Sequence, residues 1–313
     1  MTVKEARRKG TQVLSQNRTE TQTPTPSLDA DVLLEHVLGW NKTAILFHGE
    51  KELTPKQEED FFSYIKVRST GLPVAYISGH KEFFGYAFFV TPSVLIPKPD
   101  TEVLVEEALN VLKEKVSASP RKSVTICDMC TGSGCIALSI AKSALENHIV
   151  TKENFPLITM ADISAPALEI ARTNRDALLP DWAKENVRLV QSNLFCAVDG
   201  RFDIITANPP YIPYSMVREL LKDGRNEPAL ALDGDVTLTG EKSKTDDGLA
   251  IMRNLVLQAK DHITLGGILL CEAGEYNAEM TQYIFKKNGF TKTKIFRDLG
   301  GDLRCVFGVS ATF

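Results

Sequence analysis

The 313 residues carry 36 Lys and Arg against 40 Asp and Glu, a formal net charge of −4, and 43% of them are hydrophobic. Such a chain is long enough to bury a sizeable core in one large or two modest domains. Its acidic balance argues against a partner held mainly by phosphates, and no apolar run is long enough to span a bilayer. Six cysteines do not make a disulfide framework, so a reducing compartment is the simpler expectation.

The opening MTVKEARRKG is basic but lacks an apolar stretch and a small-residue cleavage site, and Val3, Ala6, Val13 and Leu14 suit a helix better than a leader. Ser27 to Gly39 has Leu28, Val32, Leu33, Val37 and Leu38 on a helical period, with Gly39 as a stop. Thr54-Pro55-Lys56-Gln57 reads as a capping box with Pro at the first helical position; Phe61, Phe62 and Ile65 form the apolar face behind it. Residues 1–80 are therefore expected to form a small helical domain that recognises the substrate.

Glu82 to Phe84 and Tyr86 to Val90 flank Gly85 as a hairpin, and Val94 to Pro97 leads into a stiff Pro97-Lys98-Pro99 step. Residues 81–102 thus form a connector, with Asp100 or Thr101 placed to cap a helix through Val103 to Val111. Residues 103–313 are expected to be the catalytic domain. Strands are predicted at Val124 to Cys127, Leu157 to Ala161, Val187 to Val190, Phe202 to Thr206, Gly267 to Cys271, Thr293 to Phe296 and Arg304 to Gly308, with helices between most of them. This alternation predicts an α/β fold with a doubly wound, Rossmann-like sheet and ligands at the carboxyl ends of its strands. Asp233 to Asp247 reads as a mobile loop.

The first of these strands ends at Asp128, and Met129-Cys130-Thr131-Gly132-Ser133-Gly134 runs into a helix over Cys135 to Ser143. Glycines there let backbone approach a ligand, and the helix start offers free amides. The loop alone does not separate a dinucleotide from S-adenosylmethionine. Asp162 closes the second strand, where a carboxylate can accept two ribose hydroxyls, unless it merely caps the following helix. Asn193 and Leu194 follow the third strand, placed to hold an adenine edge and face. Cys127 and Cys130 form a C-x-x-C without a second pair, which we read as accidental, and no metal is expected.

The fourth strand runs directly into Asn208-Pro209-Pro210-Tyr211. The Asn208 oxygen and the Pro209 carbonyl can accept both protons of an NH2 group, and the two prolines hold that carbonyl rigidly. Tyr211 offers a ring face to a planar substrate. None of His36, His48, His80, His148 and His262 falls in these motifs, and methyl transfer from a sulfonium needs no strong base beforehand. The pattern therefore points to S-adenosylmethionine-dependent methylation of a planar amino or amide nitrogen.

Three other readings remain open on residues alone: an adenine amino methyltransferase acting on nucleic acid, a non-catalytic binding protein with a cofactor fold, and a nicotinamide oxidoreductase. The first shares the Asn208 motif but lacks an obvious basic recognition insert. The second has no use for that motif, and the third lacks a catalytic acid or base beside the glycine loop.

The chain as a whole resembles the HemK/PrmC family of release factor glutamine methyltransferases. The likeness rests on the helical first 80 residues, Ile96-Pro97-Lys98-Pro99-Asp100-Thr101-Glu102, Asp128 to Gly134, Asp162, Asn208 to Tyr211, Glu227 to Gly234, and Asp247-Gly248-Leu249. It implies a seven-stranded class I methyltransferase domain whose last two strands form an antiparallel edge. Further implications are S-adenosylmethionine as cofactor and a peptide chain release factor as protein substrate, methylated on the glutamine of its Gly-Gly-Gln loop. Cys130 to Gly134 and Asp162 would then hold the cofactor and Asn208 to Tyr211 the glutamine. Neither nucleic acid nor membrane is expected as a direct partner. The bacterial cytoplasm is the expected location, with an organelle as the alternative. Lys98 and Asp100 stand where the family usually has Arg and Glu, and Asn193 replaces a common Asp.

Overall fold

The computed structural model describes residues 1–16, 25–223 and 226–311, so residues 17–24 of the helical segment lie outside it. The chain divides into two compact units, Met1–His80 with Arg218–Glu227, and Lys81–Val217 with Pro228–Phe313.

In the first unit, α1 (Val3–Gln16), α2 (Pro26–Leu38), α3 (Lys42–Phe47), α4 (Pro55–Arg68) and α5 (Val74–Ser78) surround a core of Val3, Ala6, Leu14, Leu33, Leu34, Phe61 and Ile65. Thr54 and Gln57 close the capping box reciprocally, and Gly39 ends α2 in the left-handed region. A side chain at Gly10 would meet Phe61 at 2.7 Å, so α1 packs on α4 at a contact only glycine permits. Buried Asp29 and Asp31 are each paired, with Arg68 and Arg7 respectively, as buried carboxylates require. Of the residues expected to line this helical core, Val13 and Leu28 are the exceptions and face outward.

The second unit begins with the hairpin β1 (His80–Phe83) and β2 (Tyr86–Phe89), followed by a single 3-10 turn at Pro99–Thr101 and α6 (Glu102–Ala118). Thr101 stands at the start of α6 but makes no capping bond from its side chain, contrary to expectation, because its hydroxyl is engaged elsewhere. There follow β3 (Thr125–Met129), α7 (Cys135–Glu146), β4 (Leu157–Asp162), α8 (Ala165–Leu178), α9 (Asp181–Lys184), β5 (Val187–Gln191), β6 (Phe202–Ala207), α10 (Tyr214–Leu220), α11 (Ala250–Ala259), β7 (Ile263–Glu272), α12 (Ala278–Lys287), β8 (Phe290–Arg297) and β9 (Leu303–Ser310). All seven strands predicted beyond residue 120 are present. The last begin and end a few residues beyond their expected bounds.

Among the described residues these strands form one seven-stranded sheet in the order β5-β4-β3-β6-β7-β9-β8. The first five are parallel, while β9 pairs antiparallel with both β7 and β8. Ile126, Ile158, Ile204 and Leu270 pack one face against α6 and α7; Cys127, Ile205 and Leu269 pack the other against α11. Each such aliphatic side chain, fully buried, contributes about 1.5–3 kcal/mol. The chain winds outward from β3 to β5, then crosses back to β6 on the other side of β3. A crevice at the carboxyl ends of β3 and β6 is the consequence. Asn174, 2% exposed on α8, ties the glycine loop to the hairpin: it donates to the Ser133 carbonyl at 2.9 Å and exchanges two bonds with Phe89.

Candidate active site

Cys130, Gly132 and Gly134 all adopt positive φ, which turns the backbone sharply out of β3 and into α7. An added Cβ at Gly132 would meet nothing within 4 Å, whereas one at Gly134 would press on Leu138 at 3.0 Å. Gly132 thus faces open space and Gly134 packs inward. The main cavity of the second unit opens here, and its walls include Cys130, Thr131, Gly132, Ser133, Asp162, Asn193, Leu194, Asn208 and Pro210.

Asp162 is tightly placed. Its Oδ2 accepts the Gly132 N–H at 2.9 Å and its Oδ1 accepts the Ser164 N–H at 2.9 Å, while the Ser164 hydroxyl caps α8 on Ala167. The helix-capping task expected as the bland alternative for Asp162 is therefore performed by Ser164. Burial pushes the Asp162 pKa up, and the backbone donors of Ser164, Gly132 and Ile163 oppose it. Each carboxylate oxygen keeps a lone pair for a further donor.

Asp128 sits differently from its neighbours in the motif. It is wholly buried behind the loop, off the cavity wall, and accepts the hydroxyls of Thr131 at 2.6 Å and Thr206 at 2.7 Å. Burial pushes its pKa up to about 6 against the pull of those two donors. It shapes the loop from beneath, and no ligand contact is open to it. Cys127 lies inside the sheet, and Cys130 packs against the same apolar cluster while lining the cavity.

Asn193 lines the cavity, yet its amide nitrogen donates to the Leu238 carbonyl at 2.7 Å. One of its two N–H donors is thereby used by the protein, and Leu194, Ile163, Leu238 and Ile251 are the apolar surfaces nearby. The partner loop is the segment expected to be mobile. It is instead fastened: fully buried Asp235 accepts the N–H groups of Tyr214 at 3.1 Å and Gly248 at 2.9 Å, and Val236 to Leu238 form cavity wall. Ser93 to Leu95, Pro97, Lys98 and Thr101, together with Leu230 and Ala231, complete the enclosure. Their contribution was missed because apolar connector residues carry no chemical signature.

Asn208 follows β6 and donates from its amide nitrogen to Thr101 Oγ1 at 3.3 Å. Among the described residues, no donor reaches the Asn208 Oδ1 or the Pro209 carbonyl. Pro209 is buried, Pro210 is on the cavity wall, and the Tyr211 hydroxyl turns inward to Glu272 Oε1 at 3.0 Å. Close backbone packing holds this turn. A Cβ on Gly248 would lie 2.1 Å from the Tyr211 carbonyl oxygen, and one on Gly234 would lie 2.8 Å from Tyr211 Cα. Across this contact the Gly234 N–H donates to the Ile212 carbonyl at 3.0 Å, and the Ile212 N–H to the Leu232 carbonyl at 3.0 Å. This is why the Asp233-Gly234 and Asp247-Gly248 pairs matter.

None of the five histidines lines the cavity. Four are exposed and His262 stacks on Phe195. No His, Cys, Asp and Glu grouping able to hold a metal occurs among the described residues.

A glycine loop open to the cavity, a carboxylate at the end of β4, apolar slots beyond it and a pair of unspent acceptors after β6 fit S-adenosylmethionine. Asp162 would hold the ribose, Ile163, Leu194 and Leu238 the adenine, and Thr131 to Ser133 the remainder.

Residues 5–79 match the family model for the PrmC N-terminal domain, and residues 102–244 match that for the methyltransferase small domain. A release factor glutamine methyltransferase from Salmonella typhimurium is 34% identical over 284 residues, which span 90% of this chain and 92% of the relative. The enzyme of that name from Escherichia coli is 33% identical over the same shares, and one from Moorella thermoacetica is 35% identical over 90% of each chain. Fold and site define an S-adenosylmethionine-dependent methyltransferase of class I. More particularly, the chain belongs to the release factor glutamine methyltransferase family.

Proposed function

We propose that this protein transfers a methyl group from S-adenosylmethionine to the side-chain amide nitrogen of the glutamine in the Gly-Gly-Gln loop of a peptide chain release factor. The observation that carries this reading is the pair of unspent acceptors, Asn208 Oδ1 and the Pro209 carbonyl, on a turn whose amide donor is already committed to Thr101. Two neighbouring acceptors select a group with two protons on one nitrogen.

A carboxamide nitrogen is a poor nucleophile, since its lone pair is shared with the carbonyl. Bound S-adenosylmethionine supplies a methyl already activated on a sulfonium. Asn208 and Pro209 would hold the two amide protons and so aim the nitrogen, which would take the methyl carbon as its bond to the sulfonium sulfur breaks to leave a neutral thioether, and then release one proton to solvent. Placement of this kind is the main catalytic contribution available here, and no general base is required of the chain. Pro209 and Pro210 keep the acceptor carbonyl from swinging, and the anchored Tyr211 gives the planar amide a fixed neighbour. Residues 1–80 are assigned the recognition of the protein substrate, in keeping with the match over residues 5–79.

The substrate is a protein in this reading, and the setting is the cytoplasm where translation terminates. No helix among the described residues is long and apolar enough to cross a membrane. Mass spectrometry of a release factor incubated with the protein and S-adenosylmethionine tests it. One added methyl on the Gly-Gly-Gln glutamine is expected; methylation of adenine in naked DNA with an unmodified release factor would overturn it.

A further inference from the structure

Behind the Asn208 turn lies a carboxyl group outside both the glycine loop and the cavity wall. Glu272 ends β7, is 2% exposed and stands opposite Cys305 of β9. Its Oε1 accepts the Tyr211 hydroxyl at 3.0 Å. Its Oε2 is buried and meets no donor at hydrogen-bonding geometry, although the Thr101 hydroxyl is close enough to favour the charged form. That same hydroxyl oxygen accepts the Asn208 amide at 3.3 Å. The neighbouring cation, Arg304, is taken up by Asp298 at 2.9 Å, Asp100 at 3.5 Å and Asp302 at 3.7 Å, and forms no direct pair with Glu272.

A buried carboxyl without an ion-pair partner is costly, and burial pushes the Glu272 pKa up. An apolar side chain of similar volume would fill the same space more cheaply. What the carboxyl adds is polarity. A hydroxyl has one proton, so a Thr101 that gives its proton toward Glu272 can only accept from Asn208. Asn208 must then present its NH2 to Thr101 and its oxygen to the substrate.

We propose that Glu272 is a positioning residue for methyl transfer: its Oε1 holds the Tyr211 hydroxyl, and its buried carboxyl biases the nearby Thr101 hydroxyl that fixes which end of the Asn208 amide faces the glutamine. The inference rests on the functional reading above.

Single-turnover methylation of an intact release factor, measured beside calorimetric S-adenosylmethionine affinity and the thermal midpoint, tests it on the full chain. Glu272→Leu should slow transfer at saturating substrate by about thirtyfold or more. Cofactor affinity should stay within about threefold, since the cofactor residues are untouched. Glu272→Gln keeps an acceptor oxygen and should recover most of the rate. Adding Thr101→Val to Glu272→Leu should slow the reaction no further, because both act through one chain of bonds. A wild-type rate in Glu272→Leu, or a rate loss matched by equal loss of cofactor affinity, would overturn the proposal. Should Glu272→Leu not fold, a wild-type transfer rate in Thr101→Val would do the same. A wild-type protein inert on the release factor would overturn the functional reading itself, and this inference with it.

Discussion

The Asp162 Oδ2 accepts the Gly132 backbone N–H at 2.9 Å, joining the carboxylate at the end of β4 to the glycine loop after β3. One side chain therefore has two tasks in the proposed reading: it holds the loop open and receives the ribose. Asp162→Ala should weaken S-adenosylmethionine binding by about 1–3 kcal/mol, the usual cost of leaving polar partners unpaired. Asp162→Asn, which can still accept one of the two backbone bonds, should lose less. Calorimetric titration of both variants checks the order, and equal affinity in all three proteins would reduce Asp162 to a loop support.

Asp128 offers a test by pH. Its pKa is raised by burial to about 6 from an unfolded value near 3.8, so between these limits the folded chain binds more protons than the unfolded one. Stability from this group is present below pH 3.8 and is lost as pH rises through about 6. Asp128→Asn has no such titration. Relative to the variant, the wild type should therefore lose up to about 3 kcal/mol between pH 4 and pH 7, at 1.36 kcal/mol per unit. Denaturant unfolding of the pair at both pH values measures that difference, and a constant gap would contradict the burial argument.

Much of this was legible beforehand. Runs such as Leu157 to Ala161 and Gly267 to Cys271 are largely apolar, as strands of a buried parallel sheet are, and the glycine loop and Asn208 motif sit at strand ends where such a sheet places ligands. What could not be read were bonds between distant residues. Thr101 looked like a helix cap, and only the docking of its connector beside β6 turns it to Asn208, 107 residues away. Asn193 lines the cavity as expected of it, but its bond to the Leu238 carbonyl, 45 residues away, could not be foreseen. Asp128 and Asp162 look equivalent at two strand ends, yet one is sealed beneath the loop and the other lines the cavity.

Two glycines separate strain from misplacement. Gly248 has φ +71° and its added Cβ would fall 2.1 Å from the Tyr211 carbonyl oxygen, while Gly240 has φ +84° with open space around it. Gly240→Ala should cost only the backbone strain, about 1–3 kcal/mol of stability. Gly248→Ala must also displace the substrate turn, and should slow methylation by about tenfold or more beyond any loss of stability. Comparing single-turnover rates at matched folded fraction checks this, and equal rates would show that the contact with Tyr211 is without consequence.

The measurement that bears most directly on the central claim is single-turnover methylation of a Gly-Gly-Gln release factor by wild type and Asn208→Ala, with S-adenosylmethionine affinity measured in parallel. In the proposed reading Asn208 holds one proton of the amide and contributes less to cofactor binding than Asp162, so its loss should free the nitrogen to rotate out of line. The rate should fall by at least about a hundredfold while cofactor affinity stays within about tenfold. Asn208→Asp keeps an acceptor but loses the donor to Thr101, and should retain part of the activity. Equal rates in wild type and Asn208→Ala would contradict the assigned role and place the chemistry elsewhere.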